Sequence, residues 1–140
     1  MQTSNISKRQ VIILLLSTFF LLGGCGFFSG SGSDFDTASQ YDLDGVDSMR
    51  IEVEQGELFV LDIRQPDTGM GTIKGAVFDP VLLRLEKYVE DREPGEVPRV
   101  RYLFTPLAPC ATSIIIKLHG NTSEGHPSVY KQIDVMVAAD

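Results

Sequence analysis

From residue 50 to its C-terminus the chain breaks into short segments that alternate apolar and polar residues, each bounded by turn-forming residues. Successive side chains of a β-strand point to opposite faces, so a segment with this period buries one face and wets the other. Arg50-Ile51-Glu52-Val53 has the pattern, and Glu57 to Ile63 sets Phe59, Leu61 and Ile63 on one face. Gln65-Pro66-Asp67-Thr68-Gly69 follows as a turn cluster. Further strands are predicted over Thr72–Phe78, Leu82–Tyr88, Val100–Thr105, Thr112–Leu118 and Tyr130–Val137. Leu82, Leu83 and Leu85 do not alternate cleanly, which leaves a short helix over Pro80–Tyr88 as the alternative there. Ile114-Ile115-Ile116 is β-branched on both faces, as expected of a strand inside a sheet. Seven strands within the 92 residues 49–140 predict an all-β fold, an immunoglobulin-like, seven-stranded antiparallel sandwich with a modest core.

The N-terminus has a different chemistry. Lys8 and Arg9 are the only charged side chains before Asp34, and they precede an apolar run of twelve residues, Val11–Leu22. As a helix that run spans about 18 Å, short of the roughly 30 Å core of a bilayer. A basic start, a brief apolar stretch and a small-residue exit describe a secretory signal over residues 1–24, with an uncleaved anchor as the alternative. Leu22-Gly23-Gly24-Cys25 resembles the lipobox of bacterial lipoproteins, an aliphatic residue and two small ones before the cysteine that is lipidated. The resemblance implies cleavage before Cys25 and acylation of that residue, whose thiolate is the strong nucleophile near neutral pH. Two or more acyl chains, at about 0.8 kcal/mol per buried CH₂, hold a protein stably at a membrane. Gly26 stands where an aspartate retains enteric lipoproteins in the inner membrane, so the same resemblance favours the outer membrane, facing the periplasm. Residues 25–48, rich in Gly, Ser and Asp with scattered Phe27, Phe28, Phe35 and Tyr41, read as the lipidated cysteine and a flexible acidic tether. Such a tether of roughly 23 residues has a typical reach near 27 Å.

Charge and cysteine content exclude some classes of function. Without residues 1–24 the chain carries ten Lys/Arg against nineteen Asp/Glu, a formal charge of −9. Nucleic-acid binding needs a basic stripe, so none is expected. Attachment to a membrane rests on acyl chains rather than on headgroup attraction. With Cys25 lipidated, Cys110 has no partner for an intramolecular disulfide and reads as a buried, inert thiol.

No constellation points to catalysis. Asp67-Thr68-Gly69 is the tripeptide of aspartic proteases, but that chemistry needs two carboxylates sharing a proton, and Gln65-Pro66 replaces the apolar run that should precede it. It reads as a turn. His119, Glu124 and His126 share a loop without a recognised metal-ligand spacing. Asp42, Asp44 and Asp47 lack the ligand pattern of a calcium loop and read as part of the acidic tether. No catalytic residue, metal or cofactor is expected.

Three stretches resemble the chagasin family, immunoglobulin-like inhibitors of papain-type cysteine peptidases. Val53-Glu54-Gln55-Gly56-Glu57-Leu58-Phe59 is similar to the family's opening, where a glycine turn leads into the second strand. Gln65-Pro66-Asp67-Thr68-Gly69-Met70 resembles its Asn-Pro-Thr-Thr-Gly-aromatic loop. Tyr102-Leu103-Phe104 through Pro109 to Ile114-Ile115-Ile116 resembles its later strand pair, joined by a Leu-x-Pro turn. The resemblance implies a sandwich whose loops at one end fill a peptidase cleft, with Pro66, Thr68 and Gly69 as the matching loop residues. Pro66 fixes φ and Gly69 permits φ > 0, so the loop tip is expected to be preorganised. Asp67 and Met70 depart from the pattern. So do Glu93-Pro94-Gly95-Glu96, in place of a Gly-x-Gly-Gly stretch, and His119-Gly120-Asn121-Thr122, in place of Arg-Pro-Trp. The chain has no Trp. The expected function is a membrane-anchored, protein-binding lipoprotein that inhibits papain-like cysteine peptidases through the 65–70 loop. The alternative is a non-inhibitory structural or interaction lipoprotein of a cell-envelope assembly.

Overall fold

The structure, a computed structural model, describes residues 33–67, 69–120 and 126–140. The leader, Cys25, Thr68, Asn121, Thr122 and Glu124 lie outside the described residues. A short helix, α1 (Ser33–Thr37), precedes β1 (Ser39–Asp42), β2 (Ser48–Glu54), β3 (Phe59–Arg64) and β4 (Thr72–Val77). Then come β5 (Leu83–Asp91), β6 (Arg99–Pro106), β7 (Cys110–His119) and β8 (Ser128–Ala138). Among the described residues no helix is long and apolar enough to cross a membrane.

All seven expected strands form, because their alternation sorts each into an inner and an outer face. They make two four-stranded sheets, ordered β1-β3-β6-β5 and β2-β8-β7-β4. The inner faces meet through Ile51, Val53, Phe59, Leu61, Ile63, Tyr102, Phe104, Ile114, Ile116, Ile133 and Val135, all buried. Phe59 lies opposite Phe104 in the β3–β6 register, their ring centroids 5.6 Å apart and nearly parallel. Phe78 closes edge-on against Phe104 at 5.1 Å from the β4–β5 connection. Pro80–Tyr88 is not a helix. A turn built on Asp79, whose carboxylate accepts the Val81 N–H at 2.9 Å and whose carbonyl accepts the Leu83 N–H at 2.9 Å, leads into β5. Leu82 belongs to that turn while Leu83 and Leu85 keep the strand period, and a bulge between Leu85 and Lys87 interrupts the alternation further along.

Two expectations are corrected. The sandwich has eight strands rather than seven, and it is not wholly antiparallel, since β1 pairs parallel with β3 and β2 parallel with β8. β1 contains one aromatic residue and no apolar alternation. What holds it is backbone pairing along β3, continued by the Ser39 N–H to Leu58 O at 3.1 Å and the Leu43 N–H to Asp62 O at 3.0 Å. The folded unit also reaches back to residue 33 instead of starting at 49, so residues 33–48 are not tether. Leu43 belongs to the inter-sheet core. Phe35 is only 5% exposed and packs with Ala38 on Val60 and Leu103, the outward face of β3 and β6. The Arg101 guanidinium and the Lys87 ammonium lie 4.7 and 5.0 Å from its ring centroid, within cation–π range. β3 is thus covered on both faces, a consequence of α1 that its own alternation does not announce.

Strand directions fix two poles. The strand ends joined by 43–47, 65–71, 92–98 and 120–127 lie at one pole, which we term the crown. The connections 55–58, 78–82 and 107–109 and the end of β8 lie at the other, the base. Asp34 lies beside Gly56, Leu58 and Thr105, so the described chain begins at the base.

Two stability measurements check the role of the N-terminal segment. Phe35→Ala should lower unfolding stability by about 2–3 kcal/mol, the low end for a buried aromatic because the ring sits on an outer face. A fragment starting at residue 49, lacking α1, β1 and Leu43, should unfold at clearly lower denaturant than one starting at 33. Equal midpoints would show that the segment adds nothing.

Candidate functional site at the crown

The crown is organised from Gln65, the residue after β3. Its side chain is 8% exposed, which makes an unsatisfied amide there costly. Oε1 accepts the Ile73 N–H at 3.0 Å, and Nε2 donates to Glu90 Oε1 at 3.2 Å. The backbone N–H of Gln65 donates to Pro98 O at 2.8 Å. One residue therefore ties the end of β3 to the start of β4, the end of β5 and the loop before β6.

From this footing the chain forms a ridge. The Met70 N–H donates to Asp67 O at 2.9 Å, bringing the two sides of the loop together. Gly69 does not supply the positive φ expected of it, and a Cβ there would meet nothing. That conformation falls to Gly71, at φ +115°, where a Cβ would overlap the His119 carbonyl and crowd Gly120. Gly71 is thus the residue that lets the ridge lie against the start of the β7–β8 loop. The sequence carried no signal to choose between the two glycines. On one side of the ridge a hollow of about 500 Å³ is lined by Asp44, Arg64, Asp67, Met70, Tyr130 and Lys131. On the other, a hollow of about 540 Å³ is bounded by Pro66, Thr72, Arg92, Glu96, Val97 and Pro98.

The neighbouring loops are held as firmly. Glu93-Pro94-Gly95-Glu96 closes with the Glu96 N–H on Glu93 O at 3.1 Å, with proline and then a glycine at φ +87° in the central positions. That is the residue order a type II turn requires. Asp42 and Asp44, read from sequence as tether, are structural. Asp42 accepts the Asp44 N–H at 2.8 Å, and Asp44 accepts the Arg64 N–H at 2.9 Å. The half-buried Arg99 guanidinium donates to Asp62 at 2.7 Å and to Asp44 at 2.9 Å, with Asp42 at 3.4 Å. Burial alone would raise the Asp44 carboxyl, but the Arg64 N–H and the Arg99 guanidinium outweigh it and hold it below its ordinary range.

Lys131 is the other residue whose role was hidden. It shares the inner face of β8 with Ile133 and Val135, 5% exposed, where Nζ donates to Val46 O at 2.6 Å and lies 4.7 Å from the Tyr130 ring centroid. The Tyr130 phenol is pushed up, first by burial and then by Asp44, Asp47 and Asp67. Above this framework Met70 (60% exposed), Val97 and Val129 offer apolar surface to solvent.

The crown brings together Pro66, Gly69 and Met70 with the 92–98 loop and His119-Gly120. It brings no metal cluster. Among the described residues no group of three or more His, Cys, Asp or Glu side chains is placed to hold an ion, and His126 is exposed. Cys110 lies at the base end of β7 and is half-buried, its thiol pushed up by burial and then by Asp79, which leaves it a poor nucleophile.

No protein-family model matches the sequence, and no curated protein matches it. Solved structures do. The chain is similar to the cysteine protease inhibitor EhICP2 from Entamoeba histolytica, with a TM-score of 0.57, 18% identity, and 72% of this chain and 96% of that one covered. Amebosin matches at a TM-score of 0.43 and 13% identity, over 72% of this chain and 98% of that one. PbICP-C in complex with falcipain-2 matches at 0.49 and 12%, over 74% of this chain and all of that one. The fold is therefore the immunoglobulin-like sandwich of the chagasin type, shared with a cysteine protease inhibitor.

Gly71→Ala should cost several times more stability than Gly69→Ala, about 2–3 kcal/mol against less than about 1, from paired denaturant unfolding curves. Acid unfolding checks the Asp44 network. A carboxyl held below its ordinary value of 3.8 contributes its full stability above that value and loses it as pH falls through the folded-state value. Asp44→Asn should therefore be destabilised at neutral pH, by about 1–2 kcal/mol, and the gap should close only as pH falls below the ordinary carboxylate value of 3.8 and through the lower folded-state one. A constant gap across that range would contradict the assignment.

Proposed function

We propose that this chain is a membrane-anchored protein-binding lipoprotein that inhibits papain-like cysteine peptidases by inserting the 65–70 ridge into their cleft. The observation that carries the reading is the built crown, in which Gln65 and Gly71 fix the ridge between the 92–98 loop and His119-Gly120. A loop ordered before binding loses little entropy on association, so a small contact suffices for affinity. The likeness of the sandwich to a cysteine protease inhibitor supports the direction of the proposal, as does the Pro66-x-Thr68-Gly69 match. Attachment is proposed through acylated Cys25, on the lipobox resemblance, with the outer membrane and the periplasmic side favoured by Gly26.

The second reading, an interaction module of an envelope assembly without inhibitory activity, draws on the other two loops. Glu93 and Glu96 replace glycines, and no Trp is available to anchor a contact.

Titration of a papain-like peptidase with the purified chain separates the two. Inhibition at micromolar concentration or better is expected. Thr68→Asp, which adds a charge within the 65–70 segment, should weaken it by at least about tenfold, or about 1.4 kcal/mol. No inhibition in that range, together with a stoichiometric envelope protein in detergent extracts, would favour the second reading.

A further inference from the structure

Two open sheets leave four strand edges, β1, β5, β2 and β4, and each is a template on which a further strand can pair. Three of them are short, covered or interrupted. β1 has four residues, and its Tyr41 hydroxyl donates to Glu52 O at 3.0 Å, which covers the edge of β2 from the other sheet. β4 has six residues and a bulge between Ile73 and Gly75. β5 is the longest, at nine residues, and its own bulge leaves Lys87–Asp91 in regular register with β6. Leu85 and Tyr88 lie opposite the inner-face residues Phe104 and Tyr102, yet they are 37% and 45% exposed. The side of the sandwich at β5 therefore leaves inner-face apolar surface open.

Charges on an edge strand ordinarily keep other strands away. Those on β5 are ordered so that they attract a strand of the same sequence. Antiparallel pairing of two copies about Val89 sets Lys87 opposite Asp91 of the second copy, and Tyr88 opposite Glu90. One position further out, Glu86 meets Arg92. A two-fold axis makes each of these contacts twice, and half-buried Val89 meets its own copy on the axis. The charged groups are already held at the strand. The Lys87 ammonium lies 5.0 Å from the Phe35 ring centroid, and Asp91 accepts from Arg101 at 2.5 Å. Glu86 pairs with Arg84 and Arg92 with Glu90, both at 2.6 Å. Side chains ordered in advance lose little entropy on association. We propose that this chain self-associates through β5, two copies pairing antiparallel about Val89 so that their β1-β3-β6-β5 sheets become one continuous sheet of eight strands. The two 65–70 ridges then lie at opposite ends of the pair. This contact does not depend on whether the chain inhibits a peptidase.

A cross-link on the axis tests the register. The full chain carrying Val89→Cys is purified in detergent and oxidised with copper phenanthroline, and the disulfide-linked dimer is read on a non-reducing gel. The unsubstituted chain and a Ser113→Cys chain, with its thiol on the outer face of the other sheet, are the controls. At least about fivefold more dimer is expected from Val89→Cys than from either. Adding Lys87→Glu or Asp91→Lys to that chain sets like charges opposite each other at both symmetry-related contacts and should lower the yield by at least about fivefold. Co-production of these two double variants restores opposite charges at both contacts and should restore the yield, a recovery that a defect in either fold would not give. Unfolding curves establish that each variant is folded, and Glu86→Lys, opposite Arg92, replaces any that is not. Yields from Val89→Cys no higher than the controls, no loss on charge reversal, or no recovery on co-production would each overturn the proposal.

Discussion

A buried amide ties three connections of the crown together. Gln65 leaves β3 pointing inward, where an unpaired side-chain amide would cost about 1–3 kcal/mol, and its hydrogen bonds reach strands of both sheets. Ile73 opens β4 in one sheet, and Glu90 closes β5 in the other. Most of the contact between the sheets is apolar, which is strong but not directional, with the Tyr41 hydroxyl donating to Glu52 O at 3.0 Å as a second directional tie. Gln65 adds direction at the one place where direction matters, because the ridge starts at the next residue. With Gly71 allowing the return strand to press against His119, both feet of the ridge are fixed to backbone rather than to flexible side chains.

Charge does similar work beside it. β1 is short and has little apolar content, and an edge strand of that kind is weakly held by its backbone pairing alone. Arg99 supplements it by gathering Asp42, Asp44 and Asp62 from β1, its following turn and β3. A guanidinium fork is suited to this, since its donors are rigid and planar. The acidic composition that sequence reading gave to solvent is therefore partly structural at the crown. Lys131 closes the same end from the other sheet through the Val46 carbonyl, so the turn after β1 is gripped by a cation from each side.

What could be read from the sequence follows from which forces leave a periodic trace. Seven strands were legible because burying one face of a strand imposes alternation, and the Ile114–Ile116 run marked a central strand because β7 has neighbours on both sides. β1 left no trace, since its bonds are backbone bonds that any residue makes. α1 was hidden for a related reason: one aromatic, Phe35, in a Gly/Ser/Asp-rich stretch carries the contact. Gln65, Asp44 and Arg99 are polar residues whose roles depend on partners eight to 57 positions away, and pairing at that range has no signature in a single chain. The loop at 65–70 was found by resemblance rather than periodicity. Its key glycine was misplaced by two residues because only the approach of His119 distinguishes Gly71 from Gly69.

The same accounting limits where binding energy at the crown can come from. Arginine and tryptophan dominate most protein–protein contacts, yet the chain has no Trp, and the arginines nearest the ridge are engaged internally. Arg99 is bound to its three carboxylates, Arg64 is paired with Asp44, and Arg92 with Glu90. Asp47, Asp67, Glu93 and Glu96 show no ion-pair partner among the described residues. On the proposed function, a partner would gain from the shape of the ridge and from the exposed Met70, Val97 and Val129. Met70 suits this use, because a flexible thioether fits clefts of varied outline. Affinity on these terms depends on the ridge being rigid before contact, which returns the argument to the buried amide at its foot.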